Sequence, residues 1–153
     1  MSRPEPRLVT KILSLEAVKA AGISEVFPLK IPQNKSYPGV VYQLLSDTPI
    51  DDSMGRAAGH QARIRIACLA RQSSGVAGYA AAKNLAAAIE GDSNPDMSKT
   101  PSGIAGWRDT EGNVWVKERS FDELGTIISG TDEFEAYAIN LIVLTAYSNL
   151  LES

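Results

Sequence analysis

The sequence predicts an α+β domain: a mostly antiparallel sheet of four to five strands, with an N-terminal helix and a central helix packed on one face. Three patterns carry that expectation. Leu8, Ile12, Leu15 and Val18 recur at the spacings of three and four that mark one side of a helix. Residues 61–70 alternate, with Ile64, Ile66 and Cys68 on one side and Arg63 and Arg65 on the other, as a strand with one buried face does. Residues 75–90 are alanine-rich, and Tyr79, Ala82, Leu85, Ala86 and Ile89 fall on one stripe of a helix that can sit close to a sheet.

The elements follow in chain order. Residues 1–6 read as a frayed tail, and the first helix runs over about 7–21, with Gly22 as its stop and Lys11, Glu16 and Lys19 left for solvent. Pro28, Pro32 and Pro38 make the next stretch extended and irregular, because proline fixes φ and removes a donor. Residues 40–46 (Val-Val-Tyr-Gln-Leu-Leu-Ser) form a strand that is apolar on both faces. Residues 47–60 are rich in turn formers and are expected to be a long hairpin loop. After the alternating strand and the alanine-rich helix, Gly91 ends the helix.

Residues 91–113 then hold four Gly, two Pro and three Asp, a second long loop of the kind that is usually functional or disordered. Residues 114–121 alternate as a third strand, and the short apolar piece 126–129 can be a strand or a turn. Residues 134–147 are apolar on both sides; their β-branched and aromatic content favours a buried strand over a helix.

Composition sets the class. A chain of 153 residues, 44% hydrophobic and 22% charged, has the size and make-up of one globular domain spanning 1–153. No run approaches the ~18 apolar residues of a membrane span, and residues 1–7 carry charges and prolines where a signal peptide needs an apolar stretch. The single cysteine, Cys68, excludes an internal disulfide and any multi-cysteine zinc site, and suits a reducing compartment.

A net charge of −3 gives no global reason to expect nucleic-acid binding, but the charges are unevenly spread. Residues 53–89 carry five basic side chains and no acid, whereas residues 90–153 carry four basic and twelve acidic ones. Such segments can cancel inside one subunit. They can also make two unlike faces that meet head to tail between identical copies, or bind phosphate.

Catalytic motifs are missing. The one histidine, His60, stands at the start of a strand without a Gly-x-Ser-x-Gly turn anywhere in the chain. Cys68 shares an apolar face and behaves as a small hydrophobe. Asp47, Asp51 and Asp52 lack the spacing of a calcium loop, and Asp132, Glu133 and Glu135 read as a charged turn. There is no phosphate-binding glycine loop. Trp115, in a strand, reads as core; Trp107, in the long loop, reads equally as core or as an anchor for a partner.

One succession of residues is more specific. Val26-Phe27-Pro28, Pro32 and Tyr37-Pro38-Gly39-Val40-Val41-Tyr42-Gln43 follow the first helix. A turn-rich stretch, the strand 62–68 and the alanine-rich helix with Tyr79 and Leu85 come next, and an apolar strand closes the chain. This order resembles the tail-completion (tail-terminator, head–tail joining) proteins of long-tailed bacteriophages over residues 8–90 and the last strand.

The resemblance implies a non-enzymatic virion structural protein, assembled in the host cytoplasm, that forms a homo-oligomeric ring, commonly six-fold, at the head–tail interface. It caps the head-proximal end of the tail tube and stops its growth. Its partners would be its own copies, the tail-tube protein and a head-completion protein, with no membrane and no cofactor; DNA passes through without being specifically bound. Catalytic and metal residues are not implied. The candidate contacts are Asp51, Asp52, Arg56, Arg63, Arg65, Trp107 and Arg108. The alternative reading is a small nucleic-acid-binding domain that uses the basic segment 56–71.

Overall fold

The computed structural model describes residues 4–29, 31, 37–51, 57–91, 102–129 and 132–147. Helices α1 (Pro4–Ser14) and α2 (Glu16–Ala20) lead into a short strand, β1 (Phe27–Pro28). Strands β2 (Gly39–Asp51) and β3 (Ala57–Arg71) form a hairpin, helix α3 (Gly75–Glu90) follows, and β4 (Trp115–Ser129) pairs with β5 (Asp132–Tyr147). The sheet order is β1-β2-β3-β5-β4, with β1 parallel to β2 and the other neighbours antiparallel. This is the α+β class that the sequence predicts, with five strands.

The N-terminal reading needs two corrections. Residues 4–6 are helical rather than frayed, because Pro4 and Pro6 occupy the first turn of α1, where a missing N–H costs nothing. The helix expected over 7–21 is also broken: Leu15 is extended, with φ −74° and ψ 134°, and separates α1 from α2. The break leaves the apolar stripe intact. Leu8, Ile12, Leu15 and Val18 are all buried in one cluster with Ile64 and Ile66 of the sheet.

Alternation in β3 divides the sheet into two faces. On one, Ile64, Ile66 and Cys68 join Val40, Ile139, Leu141 and Val143, and the α3 stripe Ala82, Leu85, Ala86 and Ile89 packs over them. Burying each of the larger side chains stabilises the fold by ~1.5–3 kcal/mol. The opposite face is only partly covered. There Val41, Ala67 and Leu69 form a smaller cluster with Ile31, flanked by Phe27 and Tyr37.

The strands are longer than their sequence signals. Residues 47–60, expected to be a loop, continue the β2–β3 ladder through pairs such as Asp47↔Ala62 and Thr48↔Gln61, while residues 52–56 lie outside the described residues. Pro49 is tolerated there because β1 covers β2 only at Val41 and Tyr42, so the proline's missing N–H disrupts no second ladder among the described residues. The open choice at residues 126–129 resolves to strand, within β4.

Two ribbons extend past the common sheet. β3 ends at Arg71, opposite Ala136, yet β4 and β5 go on pairing from Thr126↔Glu135 to Ser129↔Asp132. At ~3.3 Å per residue this ribbon projects ~13 Å. At the other end, Ile50↔Gly59 and Asp51↔Ala57 lie beyond His60↔Tyr147, the last β3–β5 pair among the described residues.

Candidate assembly surface

Arg63 and Arg65 occupy the sheet face opposite the helices, as their alternation with buried Ile64 and Ile66 requires. Arg65 donates from Nη2 to Gln43 Oε1 at 2.8 Å, its cross-strand partner in β2. Arg63 reaches across β5 to β4, where its Nε lies 2.7 Å from Glu118 Oε2. Register shifts shape this contact. One falls between Leu44 and Ser46, the other between Lys117 and Arg119, so Leu45 and Glu118 are each the extra residue of a bulge. Bulges re-aim side chains, and these two line one depression with Arg63, Arg119 and Ile142. The Arg63–Glu118 pair is partly exposed and contributes at most ~1 kcal/mol to stability. Its geometry makes it a surface feature rather than a core one.

The second long loop is anchored at its described end. Ile104 and Ala105 are buried, and their N–H groups donate to Ile89 O at 2.8 Å and Glu90 O at 3.0 Å. Trp115 is fully buried, as its strand position predicts. Trp107 stacks on it with centroids 5.9 Å apart, is half-buried, and has Lys11 Nζ 5.6 Å from its ring centroid. Intramolecular packing therefore accounts for much of Trp107. Arg108 is exposed; its backbone bridges to Val114 and its Nη1 donates to Gly112 O at 2.8 Å.

Asp109, which sequence reading did not single out, ties this segment to the N-terminus. Its Oδ2 accepts from Arg7 Nε at 2.9 Å and Trp115 Nε1 at 3.0 Å, and its Oδ1 from the N–H groups of Glu111 and Asn113. Burial pushes this carboxyl up, but the bonds from Arg7, Trp115, Asn113 and Glu111 outweigh it and hold the pKa below 3.8. The one local signal is the Asp-x-Glu-Gly-Asn run at 109–113, which has the composition of an Asx turn. Nothing local points to Arg7.

The remaining polar groups are paired at the surface or buried. His60 Nδ1 lies 3.1 Å from Asp47 Oδ1. Burial pushes the Cys68 thiol up to about 12, so it is protonated at neutral pH. Tyr79 donates to Asp122 Oδ2, and Lys83 Nζ lies 3.2 Å from the Tyr79 hydroxyl and 3.4 Å from Asp122. The tyrosine's hydrogen bond and the nearby Lys83 lower the Asp122 pKa, and the hydrogen bonds to Tyr79 and Asp122 raise that of Lys83. Among the described residues, no group of three or more His, Cys, Asp or Glu side chains could hold a metal ion. Nor, among them, is any helix long and apolar enough to cross a membrane.

Of the predicted contact residues, the structure brings Arg63 and Arg65 together on the open sheet face and packs Trp107 against the cluster on the helix-covered face, with Arg108 exposed beside it. Asp51 lies in β2, at the far end of the β2–β3 ribbon; Asp52 and Arg56 lie outside the described residues. No family model matches the chain, and no curated protein matches it in sequence.

Proposed function

We propose that the protein is a structural subunit of a long-tailed bacteriophage virion, a tail-completion protein that rings the head-proximal end of the tail tube, stops its growth and joins it to the head. The work is mechanical, with no cofactor and no bond made or broken. Six copies form the ring, on the resemblance of the sequence to such proteins. The contacts are the tail-tube protein on one side and a head-completion protein on the other.

The observation that carries this reading is the pair of ribbons projecting from opposite ends of one sheet, β2–β3 at one and β4–β5 at the other. A ring requires each subunit to offer two dissimilar surfaces, and ribbons reaching past the common sheet supply unlike ends. The order of elements also follows the order on which the resemblance rests, from the proline-bounded strand to the closing apolar strand.

Nucleic-acid binding through segment 56–71 is less favoured. Arg63 is already paired with Glu118, and Arg71 lies over the Tyr37 ring, 4.9 Å from its centroid. The decisive measurement is tube length. Tail tubes polymerised with the protein present should stop at a uniform length and show a ring at one end in electron micrographs. Tubes that overgrow equally with and without it would end the proposal.

A further inference from the structure

We infer that copies of the chain join head to tail, the β4–β5 ribbon of one seated in a groove on the open sheet face of the next. The inference names the contact behind the ring, so it rests on the assembly reading above.

The groove has a volume of about 140 Å³ and is lined by Leu29, Val41, Ala67, Leu69, Arg65 and Asn140. A dry cavity of about 150 Å³ holds a benzene ring, so this space takes a leucine-sized side chain. Three features of its wall await a partner. Leu29 is 64% exposed and held at φ 68°, a left-handed conformation that non-glycine residues rarely adopt. Asn140 is 1% exposed, and its Oδ1 has no hydrogen-bond partner among the described residues. Arg65 donates only to a neutral amide among the described residues, and the Glu123 carboxylate of the same wall makes no ion pair with it.

The ribbon is the complementary part. Its projecting part, residues 126–135, contains Asp132, Glu133 and Glu135 and no Lys or Arg. Past Arg71 the ribbon is two strands with no third beside them among the described residues, and an isolated two-stranded ribbon is marginal in water. Leu124, at its base, is 56% exposed, and Glu135 is exposed as well. A contact of ribbon against ribbon would set two acidic surfaces together. Seating one ribbon beside the neighbour's Arg65 joins opposite charges instead, and leaves the pair with one free ribbon at one end and one free groove at the other, where further copies add.

Sedimentation across a concentration series tests this with two folded variants. The groove variant is Leu29→Asn with Arg65→Gln; the ribbon variant is Leu124→Ser with Glu135→Lys, so the two altered surfaces carry no opposite charges for each other. Wild type should associate, and each variant alone should associate at least tenfold more weakly. Their mixture should give a dimer at twice the 16.4 kDa subunit mass and nothing larger, because only one good contact remains.

Wild type that stays at 16.4 kDa up to about 1 mM overturns the inference, as do variants that associate like wild type or a mixture that forms no dimer. If a double variant unfolds, the single substitutions Leu29→Asn and Glu135→Lys, both at exposed positions, make the same comparison. Association without tube capping would end the capping reading and leave this contact standing. Capping by variants with unimpaired association would overturn this contact alone.

Discussion

Arg7 and Asp109, 102 positions apart in the chain, meet through a bond of 2.9 Å from guanidinium Nε to carboxylate Oδ2. The contact fastens α1 to the segment that precedes β4, and the same carboxylate orients the buried Trp115 indole. Removing it strands three kinds of donor at once.

Asp109→Ala should therefore cost about 1–3 kcal/mol, the penalty for stranded buried donors, because Arg7 Nη1 keeps Glu111 Oε2 at 3.1 Å and its charge is not left alone. Urea unfolding gives the number directly. A loss below about 1 kcal/mol would mean that water replaces the carboxylate at this position.

The pH dependence of stability has a definite sign. The Asp109 pKa lies below 3.8 in the folded chain, so its contribution is present in full above the unfolded value and is lost as pH falls through the folded one. Wild type should lose stability below about pH 4 more steeply than Asp109→Asn, whose side chain does not titrate. Parallel curves for the two would remove Asp109 as the source.

Gly103 tests the closure between α3 and the segment before β4. A Cβ there would lie 2.5 Å from Ile89 O and 2.6 Å from Gly91 N, both backbone atoms that cannot yield cheaply. Gly103→Ala should destabilise the subunit by about 1–3 kcal/mol, as overpacking does. Gly125→Ala, where nothing lies within 4 Å, is the control and should melt within about 2 °C of wild type.

Arg63→Ala removes a partly exposed ion pair. It should change unfolding free energy by at most ~1 kcal/mol while weakening ring assembly, read by sedimentation of the ring. An equal ring yield would free Arg63 of any role between subunits.

Cys68 is buried with its thiol pushed up to about 12. A disulfide reagent at pH 8 should label it only as fast as the chain unfolds. Rapid labelling of folded protein would show that the main core opens locally at β3.

Period alone was enough to place β3 and α3. Ile64, Ile66 and Cys68 point to the helices and Arg63 and Arg65 away because a strand has no other choice, and the α3 stripe is buried along the length the sequence marks. The failures have separate causes. Residues 47–51 and 57–60 look like a loop by composition, but cross-strand pairing outweighs local turn preference when a neighbouring strand already supplies a ladder. Leu15 breaks the first helix at a position whose side chain still fits the stripe, so the pattern carries no trace of it. Arg7 and Asp109 are illegible for a different reason: contacts between distant residues leave no local signature.

The backbone bonds from Ile104 to Ile89 and from Ala105 to Glu90 also fix how far apart the two ends of the intervening stretch can be. Closing a flexible connection between ends held this way costs only ~0.6 kcal/mol more for each doubling of its length. A fluorescent domain whose own termini are closely spaced matches ends pinned in this way, which offers a way to label the subunit without touching either ribbon.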